Sequence, residues 1–228
     1  MTHHIDLGTI TLEKGATAEQ GEDHGCVMEW TARFAGLPVT DHPSCTSPVL
    51  TAFAIAFNDG VDDETRQRLI PFIPRLVGTA GDPEADAARA WLATDWLVRT
   101  FTPAWLRKAG MEAEAASLQA LPALTTAELA RSAQPIINAA SAKARAAGAA
   151  AGAAARAAAW DAAWAAARDA ARAAASKSKG GYDAKYRAAR KAAADILKPL
   201  YAETIAELRE SALRLFDRMI DIKVAVPA

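Results

Sequence analysis

The residues able to do chemistry are few and sit early in the chain. His24-x-Cys26 and His42-x-x-Cys45 bring two cysteines and two histidines within 22 positions. Two Cys and two His can close a tetrahedral zinc site. The same groups could form a thiolate–imidazole pair for covalent catalysis. Cys26, Glu29, His42 and Cys45 would then be the centre of a small metal- or cysteine-dependent enzyme. The spacing argues against both ideas. His-x-Cys is not a usual zinc-finger step, the chain has no Cys-x-x-Cys, and a free cysteine is often just a small buried apolar residue. His42 precedes Pro43 and is expected to shape a loop.

Other carboxylates have ordinary roles. Glu29–Arg33 and Asp95–Arg99 are spaced as helical i,i+4 pairs. Asp41 fits a loop turn, and Asp59 precedes a glycine in a helix stop. There is no phosphate-binding glycine motif, no H-E-x-x-H and no G-x-S-x-G. The sequence therefore reads as non-enzymatic and calls for no cofactor.

A second set of residues suits binding instead. Arg156, Trp160, Trp164, Arg168 and Arg172 recur in steps of four through an alanine run. On a helix such a stripe winds slowly around the rod. It is a candidate contact surface for a protein partner or a second copy. The plainer reading packs Trp160 and Trp164 against the rest of the protein or Tyr201. Farther along, Lys177, Lys179, Lys185, Arg187, Arg190 and Lys191 interleave with Tyr182 and Tyr186. Cations with aromatics suit phosphate contact and base stacking, so nucleic acid is the alternative partner. The plainer reading is a solvated tip.

These residues need elements to position them. Cys26–Ala35 reads as a helix ended by Gly36. Ser47 is the expected N-cap of the next helix, with Pro48 at its first position and Asn58-Asp59-Gly60 as its stop. Asp62 opens a helix over 62–70. Pro71 and Pro74 break the next stretch into short turns, closed by Gly78. Asp82-Pro83 starts a helix through Trp91, Leu92, Trp96, Leu97 and Phe101. Thr102-Pro103 is expected to cap a separate short helix to Gly110. Helices near 111–120 and 126–133 complete a head over 20–134.

From Pro135 the composition turns to alanine, the best helix former. One rod is expected to run to about Ser176 and turn at Ser-Lys-Ser-Lys-Gly-Gly, 176–181. A second returns to Ile220, kinked or restarted at Pro199. Leu197, Tyr201, Thr204, Leu208, Leu215 and Met219 lie close to a heptad seam on it. Gly148 and Gly152 would let the axes approach. The expected fold is all-α: a compact multi-helix head plus a long antiparallel hairpin over 135–221, of coiled-coil type. Residues 1–19 read as an extended arm or short strand, since 5–12 alternate roughly, and 222–228 as a tail or second short strand.

Composition sets the class. The 228 residues carry formal charge −1, but unevenly. Residues 141–198 hold 12 Lys/Arg against 4 Asp/Glu, a local +8, and the remainder is −9. One basic and one acidic surface are implied. Two cysteines are too few for a disulfide framework. The first residues lack a signal-peptide pattern, and charges interrupt the alanine run too often for a membrane span. A reduced, cytoplasmic protein that is not membrane-bound is expected.

The first half also carries a run of motifs: "CVMEW", "TDHPSCTSPV", "FNDG", "IPRLVGT" and "TDWLVRTFTPAWLRKAGM". Over about residues 12–125 these resemble a family of uncharacterised actinobacterial and actinophage proteins with an alanine-rich segment after the shared half. The resemblance implies that host range, and it carries no activity and no functional residues. The expected function is a non-enzymatic interaction or assembly protein, with the hairpin presenting its surface to another copy or a macromolecular partner.

Overall fold

The structure is a computed structural model that describes residues 5–16, 21, 23–154 and 202–223, with side chains in the long helix as far as 147. The described residues are helical and contain no strand. The chain divides into two compact units. Unit 1 comprises 1–96, 124–126 and 211–228; unit 2 comprises 97–123 and 127–210.

Unit 1 begins with residues 5–16 as an extended arm, with a turn at its start. The alternation over 5–12 does not make a strand. Asp6 closes a local turn, its carboxylate accepting from the Gly8 N–H and its carbonyl from the Thr9 N–H. The backbone groups of Leu12 are taken by the amide side chain of Gln67, at 2.8 and 3.0 Å, which satisfies them without a partner strand.

Helix α1 (Val27–Phe34) is buried almost all round, and Thr31 returns its hydroxyl to the Val27 carbonyl. Helix α2 (Pro48–Gly60) is capped as the sequence predicts: Ser47 Oγ accepts from the Leu50 N–H. Helix α3 (Asp63–Gln67) is capped by Asp62, whose carboxylate accepts from the Thr65 N–H at 2.9 Å. The two prolines confine the next stretch to a 3-10 turn (Ile70–Phe72) and α4 (Ile73–Leu76). Gly78 then adopts φ +80°, a conformation that favours glycine. Helix α5 is Pro83–Trp96.

The core of unit 1 joins Leu12, Val27, Met28, Leu50, Leu69 and Ile73 to residues from the far end of the chain, Leu213, Leu215, Phe216, Met219 and Ile220. Phe216 is fully buried, with Phe53 stacked on it and Phe72 edge-on, both at 5.2 Å between ring centres. The last ten residues of the final helix, α9 (202–220), therefore complete the first core in the chain.

Unit 2 opens with a π turn, Leu97–Phe101, and helix α6 (Thr102–Lys108) follows it directly. The expected break at Thr102-Pro103 is absent. A proline clashes with the carbonyl four residues back, here that of Arg99, and widening to a π turn accommodates the ring without ending the helix. Thr102 does not cap; its hydroxyl donates to the Leu97 carbonyl at 2.7 Å. Gly110, at φ +74°, closes α6, and α7 (Glu112–Gln119) packs against it. Helix α8 (Ala127–Ala154) runs straight through Pro135. The expected short helix at 126–133 and the start of the alanine-rich rod are thus one element. The carbonyl that Pro135 leaves without an N–H partner belongs to Arg131, an exposed residue, so water can satisfy it.

Candidate functional sites

The four Cys and His residues are not brought together as a set. His24 precedes α1, and its Nδ1 meets Glu13 Oε1 at 2.9 Å. Cys26 is the N-cap residue of α1, and its backbone N–H donates to the buried Glu29 carboxylate at 2.8 Å. Glu29 thus closes the start of the helix from three residues inside it. Arg33 donates to the carbonyls of His24 and Gly21 at 2.6 and 3.2 Å, and lies over the Trp30 ring at 4.6 Å. His42 is exposed, with Nδ1 on Asp41 at 2.8 Å. Cys45 Sγ sits 3.7 Å from the Thr46 hydroxyl, while its carbonyl accepts from the N–H groups of Gly78 and Ala80. Among the described residues no group of three or more His, Cys, Asp or Glu is arranged to hold a metal ion.

Cys26 itself is unsuited to nucleophilic work in this state. Burial pushes its thiol up to about 12, and the nearby Glu29 charge adds to the effect. The thiol stays protonated at neutral pH, whereas nucleophiles and metal ligands need the thiolate. Cys26 and Asp41 do line one small cavity of about 30 Å3, together with Gly15, Ala16, Ile55, Asn58 and Asp59. That is room for ordered water and little more.

Three buried polar side chains that the sequence did not mark as buried organise unit 1. Asn58 is wholly buried: Oδ1 accepts from the Val27 N–H at 3.3 Å, and Nδ2 donates to the Glu13 carbonyl at 2.8 Å and to Asp59 at 2.9 Å. Arg66 donates to the carbonyls of Asn58 and Val61 and to Asp63. Arg89 is 3% exposed and clamps the end of α9. It donates to the carbonyls of Met219 and Ile222, each at 3.1 Å, and to Thr79 O and Asp86. Asp86 in turn accepts the hydroxyl of Ser47. An arginine on the last carbonyls of a helix satisfies acceptors that have no intrahelical donor and opposes the negative end of the dipole.

Beside this clamp lies a cleft of about 410 Å3, bounded by the 74–82 turn and residues 220–223. Arg75 stands at it and pairs with Asp217 and Asp221 at 2.6 and 2.7 Å. Of the cations that line it, Arg75 is paired with Asp217 and Asp221 and Arg89 with Asp86, and Asp82 lines it as well, so the cleft presents no excess of positive charge to an anion.

In unit 2 the buried positions of α8 form a narrow line. Ala133 and Ala140 are buried, and Ile137 and Ala144 are half-buried, in steps of four, three and four. Most other described side chains of the helix face solvent. A shallow groove of about 360 Å3 between α7 and α8 runs along Pro135, Ile136, Ala139 and Ala140, and Lys143 bridges to Glu114 at 2.6 Å. That ammonium holds the Glu114 carboxyl below its usual range. On α9 the buried residues of this unit are Thr204 and Leu208, four apart.

The Trp–Arg stripe (Arg156, Trp160, Trp164, Arg168, Arg172) and the basic tip (Lys177, Lys179, Lys185, Arg187, Arg190, Lys191) lie outside the described residues. No helix among the described residues is long and apolar enough to cross a membrane. No family model matches the chain, and neither a curated protein nor a solved structure is significantly similar to it.

Proposed function

We propose that the protein is a non-enzymatic interaction or assembly protein, in which a long helical hairpin over 135–221 presents a surface to a second copy or to a macromolecular partner. The observation that carries this reading is the line of Ala133, Ile137, Ala140 and Ala144 on α8. Its 4-3-4 spacing is that of a coiled-coil seam, and its side chains are mostly methyl-sized. An alanine seam buries little area on its own, so it gains only from a close neighbour along its length. Between Ala154 and Ala202 the sequence offers about twenty residues on either side of the 176–181 turn, which suits two equal antiparallel arms. The returning helix would supply the close neighbour, leaving the Trp160/Trp164 face for the partner.

The test uses the full chain and a Trp160→Ala/Trp164→Ala variant. Multi-angle light scattering across protein concentration should show wild-type self-association that the variant loses, or capture from a host extract that the variant loses. A wild type that stays monomeric and captures nothing that the variant does not defeats the reading. Retention on DNA or RNA at low salt that persists in the variant and disappears with Lys→Glu changes at 177, 179 and 185 would move the function to the basic tip.

A further inference from the structure

We propose that residues 5–16 form a strap over Cys26 that opens as a unit while the rest of unit 1 stays folded, and that opening is what delivers the Cys26 thiol to solvent-borne electrophiles. The inference is independent of the hairpin.

The strap is held differently from everything beneath it. Leu12 is its one buried residue and shares the core cluster with Cys26 and Val27. Its backbone is tethered mainly by side chains: Gln67 takes both groups of Leu12, Asn58 takes the Glu13 carbonyl, and Asp59 takes the Gly15 N–H at 2.8 Å. The Glu13 N–H adds a bond to the Gly25 carbonyl at 3.0 Å, and the Glu13 carboxylate one to His24. Ile5, Leu7 and Ile10 also pack, half-buried, against that core. One buried leucine, three half-buried apolar side chains and a handful of hydrogen bonds make a small cooperative unit, the kind that opens below the cost of global unfolding.

The same strap borders Cys26. Gly15 and Ala16 share the small cavity with Cys26, and Cys26 is 3% exposed. Closed, the thiol is both out of reach and protonated, since burial holds it up to about 12. Open, it regains water and an ordinary thiol's acidity, and a thiolate fraction becomes available. The cavity of about 30 Å3 has no room for an added group, so a modified Cys26 would keep the strap from closing again.

The second cysteine supplies an internal control. Cys45 is half-buried and does not touch the strap's cavity. The experiment is native-state alkylation of the full chain with iodoacetamide, the thiolate displacing iodide, followed by peptide mass spectrometry of each cysteine over a series of sub-denaturing urea concentrations. The expected result is a Cys26 rate with only a shallow urea dependence, well below the slope of global unfolding measured by circular dichroism. Gln67→Ala should raise the Cys26 rate about tenfold and Leu12→Ala about a hundredfold, with Cys45 unchanged. A Cys26 rate that follows the global unfolding slope overturns the proposal, and the wild-type series decides this even if Leu12→Ala fails to fold. Equal effects of Gln67→Ala on both cysteines overturn it as well.

Discussion

Unit 1 and unit 2 are both helical, yet they hold their helices in different ways. Unit 1 interlocks large side chains and buries three polar ones with their partners: Asn58, Arg66 and Arg89. Its contacts span the chain, as when Arg89 reaches the Met219 carbonyl 130 residues away. In unit 2 the longest described helix buries little beyond Ala133 and Ala140, and its surface ion pair, Lys143–Glu114, reaches across only 29 positions. One region is specified by shape and hydrogen-bond matching. The other leans on the intrinsic helix preference of alanine. The difference teaches where sequence change is tolerated: substitutions in unit 1 should be costly and specific, those along α8 small and additive.

The strongest way to break this comparison is Arg89→Leu. The change leaves the half-buried Asp86 without its cation and two carbonyls at the end of α9 without their donor. Removing one partner of a buried pair costs about 3–5 kcal/mol, and the carbonyls of Met219, Ile222 and Thr79, which lose their donor as well, keep this site within that range. Next is Phe216→Ala, which empties the seat between Phe53 and Phe72 and should cost about 3–5 kcal/mol. Urea titration followed by circular dichroism measures both. If either variant unfolds within about 1 kcal/mol of wild type, unit 1 is not the interlocked half it is described to be.

How much of this was legible beforehand depends on the range of the interactions involved. The Ser47 cap with Pro48, the Asp62 cap and the Gly78 stop were readable because each depends on residues within a few positions. The π turn at 97–101 was not, since Thr-Pro signals a new helix as readily as a widened one. Pro135 misled in the same way: composition changes there, but α8 does not. Of the extended arm or short strand expected over 5–12, the arm is what forms, and Gln67, a side chain 55 positions on, takes the backbone groups of Leu12 that a strand partner would have taken. Arg89 was invisible for the same reason, for nothing in "AARAWL" announces a partner at 219. Of the candidate sites, the sequence offered Cys26 and Glu29 as an alternative catalytic or metal centre beside the plainer readings of a buried apolar cysteine and a helical Glu29–Arg33 pair; the structure shows a buried Cys26 and a Glu29 carboxylate that closes the start of α1 on the Cys26 N–H. Asn58 was read only as part of a helix stop, and its buried carboxamide turns out to join α1, α2 and the arm.

A smaller effect sharpens the description of unit 1 through pH. Cys26 is held up to about 12 when folded, against an ordinary thiol near 9. Below pH 9 both states keep the proton and the thiol contributes nothing to the pH dependence. Between about 9 and 12 the unfolded chain ionises and the folded one does not, so stability must fall as pH rises. The slope approaches about 1.4 kcal/mol per pH unit. Cys26→Ala removes that component, so the difference between wild type and variant in urea midpoint should narrow steadily from pH 9 to pH 11. A difference that stays constant across that interval would show that the thiol is not buried in the folded state.

The least costly change tests the other side of the comparison. Ala146 is an exposed position on α8, outside the 133–137–140–144 line. Glycine there gives up intrinsic helix preference and no packing, which costs about 0.8–1 kcal/mol in a helix interior. If α8 is held mainly by that preference, Ala146→Gly should lower helix content in circular dichroism while leaving the main urea transition, reported by the core around Phe216, nearly in place. If the main transition moves as far as it does for Phe216→Ala, the long helix is as tightly coupled to a packed core as the helices of unit 1, and alanine's preference does not explain it.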